Sequence, residues 1–238
     1  MIKASCDKIR NIFNQIAPIY DDLNDWLSLG QHHIWKEMTV KWSGAKPGDT
    51  CLDLCCGSGD LAFKLTKHIG RKGLVYGVDF SAAQLAIAQQ RSRKKYHAPP
   101  IHWIEGDVLE LPLDNNTFDA ITMAYGLRNV KDISQCMKEV HRVLKPGKKA
   151  AILDFHRPQS NLAISFQNWY LDNIVVPVGS WIGYQEEYTY IKPSLDCFPR
   201  GKEQVEIALK VGFTEAIHYP IVNDMMGVLI LTKFKEMN

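Results

Sequence analysis

The stretch from Thr50 to Ala62, TCLDLCCGSGDLA, restricts what this chain can fold into more than any other. A continuous apolar run carrying one acid, Asp53, meets Gly57 and Gly59 directly before a helix-compatible segment that starts at Asp60. That order reads as strand, tight turn and helix. Glycine suits a backbone turning this sharply because it reaches φ > 0 without penalty, and because a Cβ would block a ligand lying against the turn. The pattern points to a nucleotide-like cofactor over a glycine loop.

Further runs of the same kind follow. The first helix extends to about Ile69 and is closed by Gly70 and Gly73. LVYGVDF (Leu74 to Phe80) reads as a strand ending at Asp79, with Ser81 capping a helix to about Tyr96 that Pro99 and Pro100 break. IHWIEGD (Ile101 to Asp107) is a third strand, LPLDNNTFD a turn-rich connector, and AITMAYGL (Ala120 to Leu127) a fourth strand. A helix from Ile133 to Leu144 stops at Lys145-Pro146-Gly147, and KKAAILDF is a fifth strand. After a helix near Gly201 to Val211, EAIHYPIV and GVLILTKF are joined by a short polar loop. Strands alternating with helices require a parallel sheet covered on both faces, because each crossover returns over the sheet. The last pair must be an antiparallel hairpin. A doubly wound α/β sheet, Rossmann-like and ending in such a hairpin, is the arrangement of class I S-adenosylmethionine (SAM) methyltransferases.

At 238 residues, one such domain fits, with an N-terminal helical segment over 1–45 and a cap insertion over 158–199. Trp26 and Trp35 in the first segment read as core packing, whereas the aromatics from Phe166 to Tyr190 read as a greasy groove. With 28 basic and 26 acidic residues the net charge of +2 gives no footprint for nucleic acid. The six cysteines have no C-x-x-C spacing and read as small buried hydrophobes in a reducing compartment, with no metal site among them. No secretory h-region and no apolar run of about eighteen residues is present, so a cytoplasmic location is expected.

In open α/β sheets the ligand lies beyond the carboxyl ends of the strands. Asp79 is placed there to accept hydrogen bonds from both ribose hydroxyls, with Phe80 beside it. Asp107 is placed to accept from the adenine amino group while the Val108 N–H meets a ring nitrogen. Asp53, Gly57, Ser58 and Gly59 face the methionine end, where the cationic amine welcomes an acid. The G-x-G-x-x-A reading of Gly57 to Ala62 also fits a nicotinamide enzyme. A pyrophosphate there, however, would be repelled by Asp53 and Asp60, and the third-strand acid and the hairpin have no role in a dinucleotide fold.

FNQIAPIYDDLND (Phe13 to Asp25), LDLCCGSGDLAF (Leu52 to Phe63), GVDFS (Gly77 to Ser81), ITMAYGLRNVKD (Ile121 to Asp132), EVHRVLKPG (Glu139 to Gly147) and the Tyr188 to Pro199 segment together resemble the ubiquinone and menaquinone biosynthesis C-methyltransferase family. The Cys55-Cys56-Gly57-Ser58 loop is most similar to the cyanobacterial and plastid branch, which methylates 2-phytyl-1,4-naphthoquinone (demethylphylloquinone) in the last step of vitamin K1 synthesis. The resemblance implies SAM contacts at Ser58, Asp79, Asp107 and Val108. The family's fourth-strand hydroxyl position is Ala124 here, which leaves only a backbone contact. The acceptor it implies is a lipophilic quinol, deprotonated so that the ring carbon beside the phenolate attacks the sulfonium methyl. Arg128, just past the fourth strand, is expected to stabilise the quinolate oxygen, with Tyr20 a second catalytic candidate and His156 and Tyr188 weaker ones. A substrate that partitions into lipid implies peripheral contact with a membrane such as the thylakoid. Homo-oligomerisation is compatible with the sequence.

Overall fold

The computed structural model describes residues 10–11, 14–15, 17, 25–94, 100–181 and 191–234, so Tyr20, Tyr184, Tyr188 and Tyr190 lie outside the described residues. Helix α1 (His32–Trp42) leads into β1 (Thr50–Leu54), buried from Cys51 onward, and then α2 (Asp60–Ile69), β2 (Leu74–Asp79), α3 (Ala82–Arg93) and β3 (Ile101–Glu105). Beyond a connector come β4 (Phe118–Ala124), a 3-10 turn at Leu127–Asn129, α4 (Ile133–Val143) and β5 (Leu144–Phe155). In the cap region α5 (Asn161–Tyr170) runs through a π-helical turn, Leu171–Val175, into α6 (Val176–Trp181), with α7 (Ile191–Asp196) beyond. The chain closes with α8 (Gly201–Val211), β6 (Glu215–Ile221) and β7 (Met226–Thr232). No helix among the described residues is long and apolar enough to cross a membrane.

The seven strands form one sheet in the order β3-β2-β1-β4-β5-β7-β6. β1 to β5 pair in parallel, and β7 lies antiparallel between β5 and β6, as the short polar loop requires. The chain winds outward from β1 through β3 and then crosses to β4 on β1's other side, so the crevice at a topological switch point opens beyond the ends of β1 and β4. One face of the sheet packs Leu52, Leu54, Ile121, Met123 and Leu229 against Cys136, Met137 and Val140 of α4 and Ala208 of α8. Toward α1 and α2, Cys51, Val75 and Ala120 meet Val40, Leu61, Leu65 and Ile69. Each fully buried leucine in these layers contributes roughly 1.5–3 kcal/mol.

The turn-rich connector between β3 and β4 is a loop, as expected, and the paired side chains of Glu139 and Arg142 on α4 hold it. Glu139 Oε2 accepts from the Leu111 N–H at 2.8 Å, and Arg142 donates to the carbonyls of Leu111 at 2.9 Å and Leu113 at 2.7 Å. β4 stops at Ala124 rather than Leu127, because Tyr125 turns into the left-handed region at φ 60°. Trp35 packs against the core face beside β5 and β7, but Trp26 is 72% exposed and Cys197 is also exposed.

The two glycines of the loop serve different ends. Gly57, at φ +53°, has only Gln84 Oε1 near the position of a Cβ, at 3.7 Å, and is required for the turn itself. Gly59, at φ +92°, would set a Cβ 2.6 Å from Trp103 Cη2 and 3.1 Å from Phe63 Cε2, so the close approach it permits is of α2 to the sheet, not of a ligand. The same indole crowds Gly77 of β2, where a Cβ would lie 2.6 Å from Trp103 Cε3. Gly59→Ala combines left-handed backbone strain with overpacking. It is expected to cost about 1–3 kcal/mol, read as a lower urea midpoint at unchanged m-value.

Candidate active site

The cleft beyond the switch point encloses about 1050 Å³ of space between atoms, part of it open to solvent. Asp53, Gly57, Ser58, Asp79, Phe80, Asp107, Val108 and Ala124 line it; Gly59 does not, for the packing reason given above. The structure also brings in Lys36, Asp60 and Tyr125, and it adds Arg10 and Lys131 at the rim.

Asp79 ends β2 and is buried among backbone donors. Its Oδ2 accepts the Gly57 N–H at 2.8 Å and its Oδ1 the Ser81 N–H at 2.9 Å. Burial pushes its carboxyl above the ordinary value, against the opposing pull of those bonds. A carboxylate has about four lone-pair directions, and the N–H groups of Gly57, Ser81 and Phe80 take three, so one remains for a hydroxyl in the cleft. Asp107 is exposed and accepts the Leu109 N–H at 2.9 Å, which fixes the turn carrying buried Val108.

Asp53 sits inside β1 with no exposure, and Oδ1 accepts from Thr122 Oγ1 at 2.9 Å. Its other oxygen, Oδ2, is buried without a hydrogen-bond partner among the described residues. Burial raises this carboxyl to about 7, with the Thr122 hydroxyl and the Ala62 N–H pulling the other way. An orphaned buried acceptor at one end of a cleft fits a cationic amine.

Sequence spacing gave no sign of the ion-pair network beside it. Asp60 Oδ2 accepts from Lys36 Nζ at 2.8 Å, and Oδ1 accepts from Arg91 Nη2 at 2.7 Å. Burial works against the Asp60 charge, yet Lys36 and Arg91 together hold its carboxyl below the usual range. Arg91 Nη1 also donates to the Ser58 hydroxyl at 2.8 Å and the Ser58 carbonyl at 3.1 Å, which fixes the glycine loop on α3. Asp60 is thus more than a partner of the α2 dipole. The partners lie 24 and 31 residues from it along the chain, and nothing in the local pattern marks such a pairing.

Arg128 is placed otherwise than expected. Its guanidinium is buried, donates through Nη1 to Asp154 Oδ1 and to the Tyr125 carbonyl, both at 2.8 Å, and stacks 5.0 Å from the Phe155 ring centre. Its own N–H also bonds Asp154 Oδ2 at 3.0 Å. Arg128 is absent from the cleft lining and pins the Tyr125 to Val130 loop, whose Tyr125, Gly126, Asn129 and Val130 do line it. His156 likewise lies away from the cleft, with Nε2 3.0 Å from Asp224 Oδ1 and its ring against His218. Tyr20 falls outside the described residues.

Solved structures share this architecture. A SAM-dependent methyltransferase from Aquifex aeolicus superposes with a TM-score of 0.63 at 20% identity, covering 89% of this chain and 96% of that one. Phosphoethanolamine N-methyltransferase 2 from Haemonchus contortus, in complex with S-adenosyl-L-methionine, gives 0.64 at 18% identity, covering 84% of this chain and 52% of that one. The sheet topology and a switch-point cleft lined with acids define a class I methyltransferase that uses SAM as its methyl donor. Within that class the chain belongs to the ubiE/COQ5 methyltransferase family, whose model matches residues 1–231. It is 66% identical over 227 residues to the 2-phytyl-1,4-naphtoquinone methyltransferase of Nostoc sp., covering 95% of this chain and 99% of the relative. It is 50% identical over 232 residues to the chloroplastic 2-phytyl-1,4-beta-naphthoquinone methyltransferase of Arabidopsis thaliana, covering 97% and 88%.

The raised Asp53 carboxyl has a stability consequence. Below pH 3.8 it is protonated in both folded and unfolded chains; between 3.8 and about 7 the unfolded chain ionises first, so its contribution to stability falls as pH rises through that window. Asp53→Asn in the ligand-free protein is therefore expected to gain stability relative to wild type as pH rises from about 4 to about 7. Urea midpoints across that range check it, and a gap that is constant with pH would mean Asp53 is ionised throughout.

Proposed function

We propose that this chain transfers a methyl group from SAM to the free ring carbon of a reduced 2-phytyl-1,4-naphthoquinone. The observation that carries the proposal is near full-length similarity to cyanobacterial and plastid relatives named for that substrate. When bound, SAM supplies an electrophilic sulfonium methyl. Asp79 and Phe80 hold its sugar, Asp107 and the Val108 N–H its base, and Asp53 with Gly57 and Ser58 its amino-acid end. The chain's further task is to orient a quinolate carbon toward that methyl and to exclude water, since opposite charges cancel as the methyl moves. Leu61, Val108, Leu109, Tyr125 and Val130 give the cleft an apolar wall suited to it. Arg128 contributes by holding the Tyr125 to Val130 wall in place.

The acceptor's tail belongs in a bilayer, and the cap region offers a surface for one. Leu162 (86% exposed), Phe166 and Trp169 repeat along one face of α5, Trp181 at the end of α6 is 87% exposed, and Asp172 is the only charge between Asn161 and Trp181. Tryptophan and phenylalanine on an uncharged helical face seat at the lipid headgroup boundary. The buried side of the same segment, through Leu171 and Val175, packs on Phe155, whose ring lies 6.0 Å from that of Tyr125 in the cleft wall.

The catalytic proposal is tested by incubating purified protein with labelled SAM and dithionite-reduced acceptors. Phytylated naphthoquinol is expected to react with kcat/KM at least about tenfold above prenylated benzoquinol, and the oxidised quinone not at all; equal or inverted preference overturns the assignment. The membrane contact is tested by flotation with liposomes, where paired Trp169→Ser and Trp181→Ser changes are expected to cut the bound fraction several-fold while SAM binding persists. Unchanged flotation removes this helix from the contact.

A further inference from the structure

SAM ends in an α-amino acid, so a site for it must meet an ammonium and a carboxylate carried on one carbon. Asp53 Oδ2 accounts for the ammonium. A cation for the carboxylate is identified by burial and position. Among the described residues, three cationic side chains line the cleft: Arg10, Lys36 and Lys131. Arg10 is exposed and sits 5.7 Å from the Phe80 ring centre, next to Asp79 and away from the Asp53 end, and Lys131 is exposed beyond the Val130 wall. Lys36 is only 4% exposed and lies among Asp60, Tyr125 and Asp53.

We propose that Lys36 of α1 binds the carboxylate of the methyl donor, forming with Asp53 a two-sided clamp on the zwitterion. An ammonium has three N–H donors, and Asp60 Oδ2 takes one of those on Lys36. Asp60 is shared between Lys36 and Arg91, and the two remaining N–H donors of the buried Lys36 ammonium have no acceptor among the described residues, so an incoming carboxylate satisfies them. Asp60 acts as the positioning residue, and Arg91 fixes it through the same guanidinium that grips Ser58. The Tyr125 ring, 5.8 Å from Nζ, closes the other side. The clamp also gives α1 a purpose that its distance in sequence from the glycine loop conceals: it delivers a cation to a cleft otherwise built from strand ends.

The inference rests on the SAM assignment, and titration calorimetry separates the two. S-adenosylhomocysteine and its decarboxylated analogue, which keeps the ammonium and lacks only the carboxylate, are titrated into wild type, Lys36→Met and Lys36→Arg. Wild type is expected to prefer the carboxylated ligand by at least about tenfold. Lys36→Met is expected to bring that preference near onefold, with affinity for the analogue little changed, and Lys36→Arg to restore part of it. A wild type that binds both ligands equally overturns the clamp while leaving the SAM site standing, and this comparison holds even where a variant fails to fold. Lys36→Met that weakens both ligands in parallel, with the preference intact, also overturns it. A wild type that binds neither ligand overturns the SAM reading and the clamp together.

Discussion

The carboxylate of Asp79 is the point on which the cleft depends. One oxygen holds the N–H of Gly57 and the other the N–H of Ser81, so the tips of β1 and β2 and the start of α3 are fixed to one another by a single buried side chain. Parallel strands leave their ends without a tight turn to join them, and the geometry there must come from side chains. Asp79 supplies it and still has one lone-pair direction left for the cleft. Its cost is a carboxyl pushed upward by burial, which three backbone donors from Gly57, Phe80 and Ser81 counter.

A second layer of charge surrounds that point. Asp60 links α1 through Lys36 and α3 through Arg91, and Arg91 reaches the Ser58 turn. Asp154 does the same for the opposite wall by holding both the backbone and the guanidinium of Arg128. Each wall is therefore pinned by one acid, Asp60 to two basic side chains and Asp154 to one. In the buried Arg128–Asp154 pair, removing one member leaves the other uncompensated, at a cost of about 3–5 kcal/mol. The acids at the strand ends consequently divide into those that face a ligand and those that hold the loops that do.

Much of this was legible in the chain, and the division has a physical cause. β1, α2, β2, α8 and the terminal hairpin follow from local pattern: apolar runs, a glycine turn, Ser81 as a cap whose Oγ accepts the Gln84 N–H at 3.2 Å, and Gly212 ending α8 at φ +119°. The cleft-facing acids were legible too, because strand ends in a doubly wound sheet converge on one edge. What escaped was set by distant partners. The inward turn of Arg128 depends on an acid 26 residues later, and the Lys36 to Asp60 pair joins α1 to the start of α2 across the whole of β1. Trp26 looked like core from its neighbours, yet helical spacing alone does not say which side of the chain the body of the protein lies on. The cap aromatics posed the same ambiguity: Phe166 and Trp169 stack on each other at the surface, and neither lines the cleft.

The indole of Trp103 occupies the volume that side chains at Gly59 and Gly77 would need. One large ring on β3 thus sets residue size at two sites, on the glycine loop and on the neighbouring strand, and none of the three can drift alone. A lineage that shrank the ring would ease the crowding at Gly77 and leave Gly59 held bare by its φ of +92° alone, whereas one that kept it would hold both bare whatever ligand the cleft came to accept. Part of what reads as a nucleotide signature in this loop is therefore the imprint of a tryptophan more than forty residues downstream of Gly59.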